Sequence, residues 1–312
     1  MDKIGFLGRR LLQLVPVAVG ITIVVFLMLR LIPGDPVRII LGSRATPESI
    51  ASLQRSLGLD KPLWEQYILF LGNLARGDLG TSLLYRQPVG ELVLERLPAT
   101  LWLVAYSAIL AVAITVPLAI VAARRKDRAV DQVIRGGTLL TLAMPSFWVG
   151  IIFMMFFSLR LDLFPVSGLG DGLRDRLYHL FLPSLTVALS LSAILIRSLR
   201  SSIVAVTLAD FVDTARAKGL TERRIMLKHI LRNALISTVT ILGVNIGWLI
   251  GGTVVIENLF AIPGLGALML SSISGRDYPM VQGITLVFAV LVVSVNILTD
   301  LMYAIIDPRV RL

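Results

Sequence analysis

The sequence predicts an all-α polytopic membrane protein with six transmembrane helices and a helical extracytoplasmic insertion between the first and second. Three observations predict it. Hydrophobic residues make up 56% of the 312 residues against 16% charged, where soluble domains carry about 25% charged. Six apolar runs recur along the chain, most of them close to the roughly 20 residues that a crossing needs. Basic residues gather in alternate hydrophilic segments, as the retention of Lys and Arg on the cytoplasmic side requires. The division that follows is a tail with the first helix over 1–32, an extracytoplasmic helical segment over 33–97, and a five-helix core over 98–312 with a cytoplasmic loop at about 200–233.

The runs lie at 11–29, 99–122, 134–159, 182–196, 235–256 and 280–306. The first follows Lys3, Arg9 and Arg10 and no small-residue cleavage site comes after it, so it reads as a permanent anchor. Pro117 and Pro145 interrupt the second and third runs and read as kinks, with the lining of a pathway as a second reading, because each frees a backbone carbonyl. Pro183 opens the fourth as a first-turn proline, and Arg197 and Arg200 follow that run closely.

Orientation follows from the short loops. With the N-terminus inside, the cytoplasmic segments hold 18 basic residues, among them Arg124, Arg125, Lys126, Arg128, Arg135, Arg224, Lys228 and Arg232. The short outer loops hold four, Arg160, Arg174, Arg176 and Arg276. Both termini are therefore expected in the cytoplasm. The formal charge of +10 is then an orientation signal, and nucleic acid is not expected as a partner. No cysteine is present and the two imidazoles, His179 in an outer loop and His229 in the cytoplasmic segment, stand apart. Neither a metal site nor a catalytic residue is expected on this chain.

The outer segment is patterned. Thr46 caps a helix with Pro47 in its first turn, Ile50, Leu53 and Leu57 share a face, and Gly58 ends it. A second helix starts near Pro62, carries an apolar stripe of Trp64, Tyr67, Ile68 and Leu71, and stops by Gly77; a third runs over 88–96. The segment reads as an amphipathic lid, which is compatible with a landing surface for an extracytoplasmic partner.

The cytoplasmic segment predicts a short helix from Asp210, a turn at Gly219, and a second helix capped by Thr221. On that second helix Met226, Leu227, Ile230 and Leu231 form an apolar face opposite a basic stripe of Arg224, Lys228 and Arg232. Periodicity alone suits either anionic lipid or a groove on a cytoplasmic protein.

Within that segment the run Asp213-Thr-Ala-Arg-Ala-Lys-Gly219 resembles the EAA loop of ABC-importer permeases. Asp213 stands where the family usually has Glu and Thr214 where it has the first Ala, while Ala215 and Gly219 match; the motif's later proline is replaced by His229-Ile-Leu-Arg232. Eight further stretches extend the resemblance to the first-subunit type of the dipeptide, oligopeptide and nickel permeases. They are Pro33-Gly-Asp-Pro36, Arg76-Gly-Asp-Leu-Gly80, Arg96-Leu-Pro-Ala-Thr100, Pro145-Ser-Phe-Trp148, Phe164-Pro-Val-Ser-Gly168, Glu257-Asn-Leu-Phe260 with Pro263-Gly-Leu-Gly266, Asp277-Tyr-Pro279 and Asp307-Pro-Arg309.

The resemblance implies a type I importer permease (MetI-like) fold in a prokaryotic inner membrane. It implies half of a translocation pathway for peptides or a related solute such as a nickel chelate, glutathione or an oligosaccharide. The implied partners are a homologous second permease, two ATPase subunits and an extracytoplasmic substrate-binding protein. No cofactor is expected on this chain, with ATP and Mg on the ATPase subunits: none of the five lysines stands in a G-x-x-x-x-G-K-[ST] context. Asp210, Asp213, Thr214, Ala215, Gly219 and Leu220 are the expected coupling residues. Asn245, Glu257, Asn296 and Asp300, polar groups within or at the ends of spans, are candidates for the pathway. For Asn245, between Gly243 and Gly247, an interhelical hydrogen bond at a small-residue contact is the plainer reading. For Glu257 and Asp300 it is the capping of a loop or an Arg pair.

Two other classes of function fit the residues less well. A stand-alone ion-coupled secondary transporter does not need the EAA-like loop and would want buried carboxylates for proton relay. An intramembrane enzyme is opposed by the lone histidines and the lack of paired aspartates.

Overall fold

The computed structural model describes residues 16–27, 46–56 and 60–306, apart from the side chains of Leu53, Ser56, Asp300 and 303–306. The expected features at Lys3, Arg9, Arg10, Pro33–Pro36, Leu57, Gly58, Asp307–Arg309 and the Asp300 side chain lie outside the described residues. The backbone forms two compact units, one of residues 1–96 and 268–290, the other of 97–267 and 291–312.

In the first unit, α1 (Pro16–Leu27) is the described part of the first apolar run. The helix α2 (Pro47–Ser56) starts as expected: the Ser49 amide donates to Thr46 Oγ1 at 3.2 Å, and the Thr46 amide donates back to Ser49 Oγ at 2.9 Å. This reciprocal pair is a capping box with Ser in the place of Glu. The helix α3 (Leu63–Ala75) ends before Gly77, whose φ of +78° suits glycine. It packs on α1 through Tyr67 and Phe70: Tyr67 Oη lies 2.8 Å from Thr22 Oγ1, and the Tyr67 and Phe26 rings meet edge-on at 5.2 Å. The packed face is thus not the expected one. Trp64, Ile68 and Leu71 are exposed, because α3 is apolar on two faces and only one meets α1.

A third, separate outer helix does not form. Residues from Val89 run without a break into the second span as α4 (Val89–Arg124), 36 residues long with Pro98 and Pro117 inside. Each proline removes one backbone bond, and the packing of the rest of the helix outweighs that loss. Before it, a turn over 81–88 is fastened by Asp277, whose buried carboxylate accepts from Ser82 Oγ and from the Leu83 and Leu84 amides at 3.1 Å each.

In the second unit the expected third span is broken. Helices α5 (Ala129–Ala143) and α6 (Ser146–Phe153, continued as a π-helix over Met154–Arg160) meet at 101°. The residue before a proline is pushed out of the helical region, and Met144 is extended at φ −93°, ψ 130°. The kink expected at Pro145 is therefore a bend of more than a right angle.

The fourth span is longer than expected. Helix α7 (Gly172–Thr207) runs for 36 residues with Pro183 well inside it, and His179, Arg197 and Arg200 belong to it. Pro183 is not a first-turn residue and His179 is not in a loop. This is the central helix, with Leu180, Ala188, Leu195, Leu199 and Ile203 fully or almost fully buried around it. The short helix α8 (Asp210–Ala217) follows. Then α9 (Glu222–Leu259) carries the helix expected after Gly219 and the fifth apolar run as one rod, with a π-helical stretch at Ile225–Ile230. That stretch shifts the buried face to Ile225, Met226 and Ile230 and leaves Leu227 half exposed, since a π turn holds more residues than an α turn.

The helix α10 (Leu265–Ser274) leads into α11 (Tyr278–Ile306), which holds the sixth apolar run. Among the described residues, four helices are long and apolar enough to cross a membrane, and the bent pair α5–α6 makes a fifth candidate.

Candidate coupling site and the polar groups of the spans

The helix α8, where the coupling residues are expected, is seated by two residues three apart. Val212 and Ala215 are buried in one apolar cluster with Ala119 of α4, Leu199 and Ile203 of α7, and Ile225, Met226 and Ile230 of α9. The helix ends in a Schellman turn. Gly219, at φ +74°, donates its amide to the Arg216 carbonyl at 2.9 Å, and the Leu220 amide donates to the Ala215 carbonyl at 3.3 Å. Leu220 then closes the turn by packing on the same cluster. A Cβ built at Gly219 would meet nothing within 4 Å. Glycine is needed here for backbone conformation, not for room.

Across that turn the exposed Arg216 forks between Glu222 (Nε to Oε1, 2.9 Å) and Asp213 (Nη1 to Oδ1, 3.1 Å). Glu222 foremost, then Asp213, raises the pKa of the guanidinium above its ordinary value. Thr214 Oγ1 donates to the Asp210 carbonyl at 3.0 Å.

The expected coupling residues therefore divide. Ala215 and Leu220 face inward and hold the elbow, while Asp210, Asp213, Thr214 and Gly219 face outward. The outward surface also holds two residues that sequence reasoning missed, Leu208 at 79% and Phe211 at 44% exposure. Periodicity gave no signal for them: Leu208 stands four residues before Val212 and Phe211 four before Ala215, the spacing of the buried stripe, and it is the start of α8 after Ala209 that leaves Leu208 outside. The basic residues Arg224, Lys228 and Arg232 are exposed along α9.

Glu257, at the far end of α9, is fully buried. Its carboxylate accepts from Thr100 Oγ1 of α4 at 2.7 Å and from the Ala267 amide at 3.0 Å, while Thr100 Oγ1 accepts from the Leu265 amide at 2.8 Å. Two of the free N–H groups at the start of α10 are thereby satisfied, where a negative charge is also favoured. Gly264 and Gly266 leave the space that the carboxylate fills, since a Cβ at either would collide with it. Glu257 thus caps a helix through Thr100, with no arginine involved.

Asn245 makes no interhelical bond here. Its Nδ2 donates to the Ile241 carbonyl of its own helix at 2.7 Å. The small-residue contact exists two residues earlier, where a Cβ at Gly243 would run into Thr299 of α11. Asn296 is exposed on α11. His179 pairs with Asp175 one turn earlier on α7, Nδ1 to Oδ1 3.3 Å. A further pair unforeseen from the sequence joins Asp131 of α5 to Arg200 of α7.

Comparison with known proteins gives a consistent result. Residues 115–312 match the family described as binding-protein-dependent transport system inner membrane component, and residues 3–104 match its N-terminal companion. The oligopeptide transport system permease protein AppB of Bacillus subtilis is 40% identical, covering 98% of this chain and 99% of its own. The dipeptide transport system permease protein DppB of Escherichia coli K12 is 37% identical over 98% of each chain. The glutathione transport system permease protein GsiC of Salmonella typhi is 38% identical over 99% of each. Among solved structures, a chain of the inward-facing MetNI methionine ABC transporter superposes with a TM-score of 0.57 at 14% identity, covering 69% of this chain and 96% of that one. That likeness establishes the importer-permease fold.

Proposed function

The chain belongs to the inner-membrane components of binding-protein-dependent transport systems, the permease subunits of ABC importers, and from that premise we propose that its cargo is a di- or oligopeptide. The reading is supported by relatives named for oligopeptide, dipeptide and glutathione transport at 37–40% identity over nearly the whole chain. As a multi-pass permease it works with other subunits of its transporter. We take these to be a homologous second permease, two ATPase subunits that bind ATP and Mg, and an extracytoplasmic binding protein. Orientation in the plasma membrane with both termini cytoplasmic follows from the 18 to four distribution of basic residues.

The observation that carries the mechanism is the elbow of α8. Its inner face is locked into the cytoplasmic ends of α4, α7 and α9, and its outer face presents Leu208, Phe211 and Asp213 to a partner. A push on that face by a closing ATPase pair displaces the helix ends together and biases two packings of the spans. Asn245, Asn296 and Asp300 are assigned to the pathway. Glu257, already engaged at the α10 cap, contributes to it by holding that helix in place. The exposed Trp64, Ile68 and Leu71 suit a lid at the bilayer interface.

The test is uptake by proteoliposomes holding the whole complex. Uptake of labelled peptide that requires ATP on the ATPase side and the binding protein on the other supports the proposal. Accumulation driven by an ion gradient, with no ATPase subunit present, overturns it in favour of a secondary carrier.

A further inference from the structure

The arm α5 is held in an unusual way. Asp131 is its one fully buried residue, while Val133, Leu139 and Leu140 are each more than half exposed. Asp131 therefore anchors α5 by a polar contact. Arg200 of α7 offers a two-pronged guanidinium: Nε donates to Asp131 Oδ1 at 2.6 Å and Nη2 donates to Oδ2. The same carboxylate accepts the Asp127 amide at 2.9 Å and so orders the turn between α4 and α5, where Asp127 sits at φ +62°. Arg200 itself lies one residue after Leu199, which is buried in the cluster that seats α8.

A buried ion pair is a weak source of net stability, because desolvation of both charges offsets their attraction. Apolar side chains of similar volume would hold the two helices together as well. What they would not supply is direction. Apolar faces slide over one another, whereas a bidentate fork fixes both separation and angle. Beyond α5 the chain turns by 101° into α6, so a rotation of α5 changes the aim of the second arm.

We propose that Asp131 and Arg200 are positioning residues that make the coupling elbow and the first arm of the broken span move as one body. A push on α8 then reaches α6, and hydrolysis stays tied to transport. The proposal rests on the permease reading given above.

The test uses the assembled complex in proteoliposomes and measures uptake and ATP hydrolysis in the same vesicles. The variants are Asp131→Asn, Arg200→Lys, which keeps charge but loses the fork, and the double Asp131→Leu with Arg200→Met, which leaves no unpaired buried charge. Expected for the double variant is hydrolysis close to the unaltered rate with uptake per ATP lowered about tenfold or more, and for Arg200→Lys an intermediate ratio. Because the chain has no cysteine, spin labels at Val133→Cys and Lys218→Cys report the α5 to α8 distance directly. One narrow peak, unchanged on nucleotide trapping and broadened by the double substitution, is expected.

A double variant with an unaltered uptake-to-hydrolysis ratio, or with both rates falling in parallel, overturns the proposal. So does a broad distance in the unaltered protein. The distance does not depend on any cargo. An unaltered complex with a narrow peak but no ATP-driven uptake would sink the permease reading and leave the rigid attachment standing.

Discussion

Thr100 Oγ1 donates to Glu257 Oε1 at 2.7 Å, joining residues 157 apart in the chain, and the same hydroxyl accepts the Leu265 amide. One hydroxyl thus serves as both donor and acceptor in a buried cap. Replacing Thr100 with Val keeps the volume, leaves the buried Leu265 amide unpaired at about 1–3 kcal/mol, and takes one of its hydrogen bonds from the Glu257 carboxylate. The thermal midpoint of the purified complex should fall by several degrees for Thr100→Val and stay near the parent for Thr100→Ser. Equal midpoints for the two would contradict the arrangement.

At Gly219 the constraint is the positive φ, with open space around the Cβ position. A β-branched residue in that conformation costs on the order of 1–3 kcal/mol, while Asn adopts it readily. Gly219→Val should abolish uptake while membrane insertion is retained, and Gly219→Asn should retain most of it. Uptake lost equally in both would mean that the glycine is needed for close approach of a partner.

The two faces of α8 predict opposite behaviour. Phe211→Ala and Asp213→Lys alter only the outward surface, so they should weaken ATPase association, by more than about 1 kcal/mol if Phe211 is an anchor, without lowering the melting midpoint of the isolated subunit. Val212→Ala, on the buried face, should destabilise that subunit by on the order of 2 kcal/mol. Pull-down of the ATPase subunits together with thermal melting separates the two effects.

Gly243 lies against Thr299 and Gly137 against nothing within 4 Å. Gly243→Ala forces a buried contact open, at about 1–3 kcal/mol. Gly137→Ala should be neutral or stabilising by about 0.5–1 kcal/mol, the helix-propensity difference. Matched melting curves of the two variants provide the check, and an indifferent Gly243→Ala would refute close packing of α9 on α11.

Much of this was legible in the residues themselves. The helix start at Thr46 and the turn at Gly219 follow from capping and turn signals, which are local, whereas the helix after Thr221 starts where expected without the side-chain cap bond expected of that threonine. The failures share a cause. The sequence predicts a helix start at Pro183 and a kink at Pro145, but one lies inside a continuous rod and the other at a 101° break. A proline costs a similar amount at each site, and what its neighbours bury decides between the outcomes: Leu180, Leu182, Val187 and Ala188 around Pro183 are buried, whereas Phe147 and Trp148 after Pro145 are exposed. Likewise Leu227 was assigned to the apolar face on a 3.6-residue period, and the π stretch changed the count.

What the sequence determined by itself was therefore the membrane class, the order of apolar segments, and the existence of a turn at Gly219 ahead of α9. Each is a property of composition or of a few neighbouring residues. Which carboxylates were spent on structure was settled only in three dimensions: Glu257 at a helix cap with Thr100, Asp131 in the grip of Arg200, Asp277 under a turn. Their partners stand 157, 69 and 194 positions away, and a buried charge takes its meaning from whatever donor the fold brings beside it.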